Sequence, residues 1–203
     1  MIRGCVFDFG GVMTTMTMPD RVRPLVKELG VDWKVLEDGF AKYRRQMDGD
    51  FMTIDEMYRR IWADAGVVVS KETNDRILKE DTASFLYRNE DTLALMRSLK
   101  SRGFKIGILT NMSSAFGVRF RETFPDFIEL ADALVISGEA KMFKPMREIY
   151  DLLRERIALP ADELCFFDDV EANCQGARDA GWKAVRFADC AQAARDFEAL
   201  LAR

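Results

Sequence analysis

Residues 2–11 read IRGCVFDFGG. A mostly apolar run breaks at Asp8 and gives way two residues later to Gly10 and Gly11. The pattern predicts a short buried strand over 2–7 that turns sharply after its last residue. Its unbroken apolar character suits a parallel strand covered on both faces. The same form recurs further along. Residues 104–109 (FKIGIL) end at Thr110-Asn111, 133–136 (ALVI) at Ser137-Gly138 and 164–167 (LCFF) at Asp168-Asp169. Residues 184–187 (AVRF) make a fifth candidate.

Helical patterns separate these runs, over 90–102, 113–123, 146–157, 171–180 and 190–202, with Gly181 placed as a C-cap. Strands that alternate with helices imply right-handed crossovers and an α/β fold, a doubly wound, Rossmann-like parallel sheet. Ligands of such sheets bind beyond the carboxyl ends of the strands, which is where Asp8, Thr110, Asn111, Ser137, Asp168 and Asp169 fall. Residues 16–88 break the alternation. They hold helical stretches near 20–29, 32–46, 53–65 and 70–84 and no convincing strand. Thr53 and Glu56 have capping-box spacing, Pro19 suits a helix start, and Gly30 and Gly66 suit helix ends. The expected division is a core of 1–15 and 89–203 with a small all-helical cap, 16–88, inserted after the first strand.

Composition narrows the chemistry. The 203 residues are 48% hydrophobic and 32% charged, with a net charge of −4. That balance speaks against a general nucleic-acid binder, which needs a broad basic surface. No apolar run approaches the roughly 18 residues of a membrane span, and no secretory cleavage pattern follows the N-terminus. The four cysteines lack C-x-x-C spacing and read as reduced thiols of a cytoplasmic protein. Cys5 and Cys165, each three residues before an Asp, are expected side by side as small core residues. There is no histidine, so a Ser-His-Asp or Cys-His site and a His-ligated zinc are excluded within the chain.

What remains is carboxylate, lysine, hydroxyl and borrowed-metal chemistry. An aspartate at a strand tip followed by glycines is exposed to a ligand and can attack phosphorus. Thr110 and Asn111 can donate to phosphoryl oxygens, and Lys144, before Pro145, can neutralise the nucleophile and the transferring group. Asp169 can hold Mg²⁺, a hard cation that takes a few carboxylates together with phosphate and water.

In this order and at these positions the residues resemble the haloacid dehalogenase superfamily, over the full length. VFDFGGVM is similar to its first motif, ILTN to its second, Lys144-Pro145 to its third and FFDDVEANCQGARDAG to its fourth. The fourth looks closest to the branch with the N-terminal phosphatase domain of soluble epoxide hydrolase and the glucose-1-phosphate phosphatases. The resemblance implies a C1-type cap, Asp8 as nucleophile, Thr110 and Asn111 on the phosphoryl group, and Lys144 stabilising charge. It also implies Mg²⁺ held by Asp8, the Gly10 carbonyl and Asp169, with Asp168 and Asn173 supporting the loop.

One position departs from the family. The general acid/base usually stands two residues after the nucleophile, and here that residue is Gly10. A missing acid/base costs about 10²–10⁴-fold in rate. Three readings therefore stand: a Mg²⁺-dependent phosphatase of a small phosphorylated metabolite, a weakened ligand-binding or regulatory protein on the same scaffold, and a haloacid dehalogenase. Specificity is expected from the cap, where Arg44 or Arg45 can bind a second anionic or hydroxylated part of the substrate. Monomer and homodimer are both left open.

Overall fold

The computed structural model describes residues 1–15 and 18–202. Five parallel strands form one sheet in the order β3-β2-β1-β4-β5. They are β1 (Gly4–Phe7), β2 (Lys105–Thr110), β3 (Ala133–Ile136), β4 (Leu164–Asp168) and β5 (Lys183–Arg186). The opening stretch supplies the central strand, and all four of its residues are buried. Successive side chains alternate between faces. Cys5 and Phe7 join the cluster under α5 (Glu90–Ser101), α6 (Ser114–Thr123), α7 (Pro125–Leu130) and α11 (Cys190–Leu201). Val6 joins the opposite cluster under α9 (Arg147–Ile157) and α10 (Glu171–Asp179). One apolar run thus serves two cores, which is why it shows no polar alternation.

The register sets β1 against β4 with Cys5 opposite Cys165 and Phe7 opposite Phe167. The two phenylalanine rings stack with centroids 4.7 Å apart. Both thiols are pushed well above the usual thiol range by burial. Strand limits differ slightly from the sequence reading. Arg3, expected inside the first strand, directs its N–H to the Glu163 carbonyl in the short 3₁₀ turn before β4, so the strand begins at Gly4. Two further helices stand where loop was expected: α7, with Pro125 at its first turn, and the short α8 (Ser137–Ala140).

Between β1 and α5 lie α1 (Met18–Glu28), α2 (Trp33–Asp48), α3 (Ile54–Asp64) and α4 (Lys71–Ser84). They pack around their own cluster, which includes Val22, Leu36, Met57, Tyr58, Ile61 and Ile77. Gly39 lets α2 approach α3, since a Cβ there would lie 2.4 Å from Ile61. The Thr53 hydroxyl accepts from the Glu56 N–H at 3.1 Å and caps α3. A few polar contacts tie this helical insert to the sheet domain. Asp50 Oδ1 accepts from the Ser114 N–H at 3.0 Å, and Ser137 Oγ lies 2.6 Å from the Asp48 carbonyl. No helix among the described residues is long and apolar enough to cross a membrane.

Candidate active site

Because β1, β2, β3 and β4 are parallel, their carboxyl ends share one edge of the sheet. Asp8, Thr110 and Asp168 stand at three of those ends, and Lys144 arrives from the segment before α9. The Lys144 side chain is fully buried. Its Nζ lies 2.8 Å from Asp8 Oδ1 and 2.6 Å from Asp168 Oδ2. Burial alone would lower this ammonium, but Asp168 and Asp8 outweigh it and hold the group above the usual lysine value.

Asp168 spends its carboxylate on this framework. Beyond Lys144 it accepts from the Val170 N–H at 2.8 Å, and Asn173 Nδ2 lies 3.1 Å from each of its oxygens. Asn111 locks the lysine from the other side: its Oδ1 accepts from the Lys144 N–H at 2.8 Å and its Nδ2 donates to the Lys144 carbonyl at 3.0 Å. The side chain expected to meet a phosphoryl oxygen thus also sets the lysine backbone, with one Nδ2 hydrogen left over. The Thr110 hydroxyl makes no hydrogen bond among the described residues, although the residue is 1% exposed.

Asp8 is arranged differently from Asp168. Its Oδ1 accepts from the Phe9 N–H at 2.7 Å and from Lys144. No hydrogen bond reaches Oδ2 among the described residues, and the side chain keeps 11% exposure. Burial pushes the Asp8 carboxyl up, to about 8; Lys144 opposes this and Asp168 and Asp169 add to it. Asp169 has no cation partner among the described residues, and burial with the adjacent Asp168 also raises its carboxyl. Gly11, at φ +75°, makes room for it: a Cβ there would lie 2.6 Å from Asp169 Oδ2. Asp8, Asp168 and Asp169 each offer an oxygen within 4.8 Å of the others. Three carboxylates served by one ammonium suit a divalent cation. Since Asp168 is already bonded, the ligands would be Asp8 and Asp169, with the Gly10 carbonyl on the same loop.

A cavity of about 490 Å³ lies between the helical insert and the sheet domain. Gly10 and Asn111 form its wall on the sheet side; Asp8 itself does not line it. Arg44 lines it from α2, with Nε 3.1 Å from Asp48 Oδ1 and the guanidinium over the Phe85 ring. Arg45 is exposed and takes no part in the wall. Of the two adjacent arginines only the first faces this space, because neighbours on a helix point about 100° apart. Sequence reasoning missed Asp48 and Asp81, both buried in the same wall. A signal for Asp81 was present: the buried face of α4 is Asn74, Ile77, Asp81 and Ser84, core spacing occupied mostly by polar residues.

The haloacid dehalogenase-like hydrolase family model matches residues 2–181. The chain belongs to that family. Bifunctional epoxide hydrolase 2 of Sus scrofa is 26% identical over 97% of this chain and 38% of its own length. Phosphatase MT3486 of Mycobacterium tuberculosis (strain CDC 1551 / Oshkosh) is 26% identical over 57% of this chain and 54% of its own. The chain thus spans little more than half of these relatives, or less. (S)-2-haloacid dehalogenase 1 of Pseudomonas sp. (strain CBS-3) is 24% identical over 91% of this chain and 84% of its own. Among solved structures, a HAD family enzyme (bt-2542) of Bacteroides thetaiotaomicron, in complex with magnesium and inorganic phosphate, aligns with a TM-score of 0.70 at 22% identity. That alignment covers 91% of this chain and 93% of the other.

Proposed function

We propose that the chain is a Mg²⁺-dependent phosphatase of a small phosphorylated metabolite, working through an aspartyl-phosphate on Asp8. The observation that carries this reading is the asymmetry of Asp8: Oδ1 is fixed by Lys144 and the Phe9 N–H, while Oδ2 is left without a partner among the described residues. Oδ2 attacks phosphorus in line, and the bond to the leaving oxygen breaks. Lys144 and the Thr110 hydroxyl face the charge gathering on the phosphoryl oxygens, and Asn111 and Asp168 keep Lys144 in place. Asp8, Asp169 and the Gly10 carbonyl would hold Mg²⁺, which would supply positive charge to the phosphoryl oxygens. Water then hydrolyses the acyl phosphate and frees Asp8. The helical insert is the cap in this reading, and its cavity receives the remainder of the substrate. The four free cysteines suit a cytoplasmic setting.

The test is a screen of sugar, nucleotide and acyl phosphates with and without Mg²⁺. Turnover should require the metal and vanish in Asp8→Asn, which should keep its melting temperature within a few degrees; residual activity in that variant removes Asp8 from the mechanism. A second reading rests on Gly10, which brings no acid to the leaving group. Binding of a phosphate ester without any turnover would favour a ligand-binding role. Halide release from 2-haloacids without Mg²⁺ would favour attack of Asp8 on carbon, the activity named for the dehalogenase relatives.

A further inference from the structure

Two helices from different parts of the molecule line the cavity. From the helical insert, α2 contributes Arg44, Met47 and Asp48; from the sheet domain, α6 contributes Ala115, Phe116 and Arg119. One side chain joins the two helices. Asp50 stands two places after the end of α2, and its carboxylate meets Ser114, the first residue of α6. Oδ1 accepts from the Ser114 N–H at 3.0 Å, and Oδ2 accepts from the Ser114 hydroxyl. Lys141 Nζ lies 3.3 Å from Oδ2. Asp50 itself is not part of the cavity wall.

A third segment closes on this joint. A Cβ on Gly138 would lie 2.4 Å from the Ser114 nitrogen and 2.8 Å from Asp50 Oδ1, so the close approach requires glycine. Beside it, the Ser137 hydroxyl donates to the Asp48 carbonyl at 2.6 Å and accepts from the Met112 N–H at 2.8 Å. The chain leaving α2 is thus fastened to the sheet domain at both Asp48 and Asp50. Asp50 has φ +57°, a conformation that costs glycine nothing. What an aspartate brings there is its charge. It faces the N-terminus of α6, where a carboxylate is favoured, and its bonds are stronger than neutral ones. Burial opposes ionisation, but Ser114 and Lys141 hold the carboxyl below the usual range.

We propose that Asp50 is a positioning residue that clasps the end of α2 to the start of α6 and so sets the spacing of the two cavity walls. This deepens the phosphatase reading and rests on it only for the effect on a substrate. The clasp acts through Met47 and Asp48 on one side and Ala115 and Phe116 on the other. Its loss loosens the fit of the group that fills the cavity and leaves the chemistry at Asp8 in place.

Asp50→Gly deletes the carboxylate and keeps the left-handed backbone. Asp50→Asn keeps that backbone and one acceptor for the Ser114 N–H. Both should melt within a few degrees of the unmutated protein. Hydrogen exchange read by mass spectrometry tests the clasp without any substrate. In Asp50→Gly the amides of 46–52 and 113–117 should exchange about tenfold faster, with Asp50→Asn in between and β1 and α3 unchanged. Unchanged exchange in those two segments overturns the proposal, and so does an increase spread evenly over the chain. Turnover then tests the positioning, with 1-naphthyl phosphate, whose ring suits the apolar wall of Met47, Met112 and Phe116, and with acetyl phosphate, whose acetyl group is too small to span the cavity. For the naphthyl ester KM should rise about tenfold in Asp50→Gly with kcat held within about threefold, and asparagine should restore part of the loss. For acetyl phosphate KM should change much less. Equal changes for the two substrates, or a loss confined to kcat, overturn the proposal. No turnover of any phosphate ester by the unmutated protein sinks the phosphatase reading, and the exchange result then decides the clasp by itself.

Discussion

Two polar clusters, one at the sheet edge and one in the helical insert, are built on opposite plans. At the sheet edge, Asp168 binds Lys144, Asn173 and the Val170 N–H, and Asn111 holds both ends of the Lys144 peptide. In the helical insert, Arg44 meets Asp48 through one bond and one oxygen of Asp81 has no hydrogen-bond partner among the described residues. The first cluster is over-determined and fixes one oxygen of Asp8. The second is under-determined, with a buried carboxylate oxygen left unsatisfied among the described residues. Rigid chemistry beside an incomplete wall is how one scaffold can keep a reaction and change its substrate.

The sharpest way to break this contrast is Lys144→Met. It removes the ammonium shared by Asp8 and Asp168 and leaves two carboxylates buried without it. Breaking such a pair costs about 3–5 kcal/mol, so chemical denaturation should show the largest loss of the series. Turnover should fall by at least about 10²-fold. A melting curve that matches the unmutated protein would mean that the Lys144 pairing contributes little to the fold.

Gly11→Ala comes next. It places a methyl group 2.6 Å from Asp169 Oδ2 and puts an L-residue at φ +75°. The backbone strain alone is worth about 1–3 kcal/mol. The displaced Asp169 should raise the Mg²⁺ concentration for half-maximal activity, whereas strain without a metal role would lower stability and leave that concentration unchanged.

The same contrast explains what could be read from the chain. The strands and their polar tips were legible because each is continuous in sequence: an apolar run for burial on two faces, then Asp8, Thr110 or Asp168. Lys144 was a candidate cation before Pro145, and the resemblance gave it a place beside Asp8. The pair of hydrogen bonds between Asn111 and the Lys144 backbone was not legible, since it depends on how two loops distant in sequence come together. Asp48 was passed over inside YRRQMDGD in favour of two arginines, although its burial against Arg44 makes it the partner that matters. Asp81 was passed over although its helix carries polar residues at core spacing on its inner face.

Arg44 and Arg45 put that lesson to a test of modest size. Arg44→Met keeps the aliphatic stem beside Phe85 and deletes the cation that answers Asp48 and Asp81. With about a third of the Arg44 side chain in contact with solvent, solvent shares the loss, and about 1–2 kcal/mol is expected rather than the larger cost of a fully buried pair. Arg45→Ala deletes an exposed side chain outside the cavity wall. It should stay within about 0.5 kcal/mol of the unmutated protein, with KM unchanged for every phosphate ester that is turned over. Equal effects at the two positions would mean that the orientation of α2 does not decide which arginine serves the cavity. A KM change confined to Arg45→Ala would move the substrate path to the outer face of α2, away from Asp81.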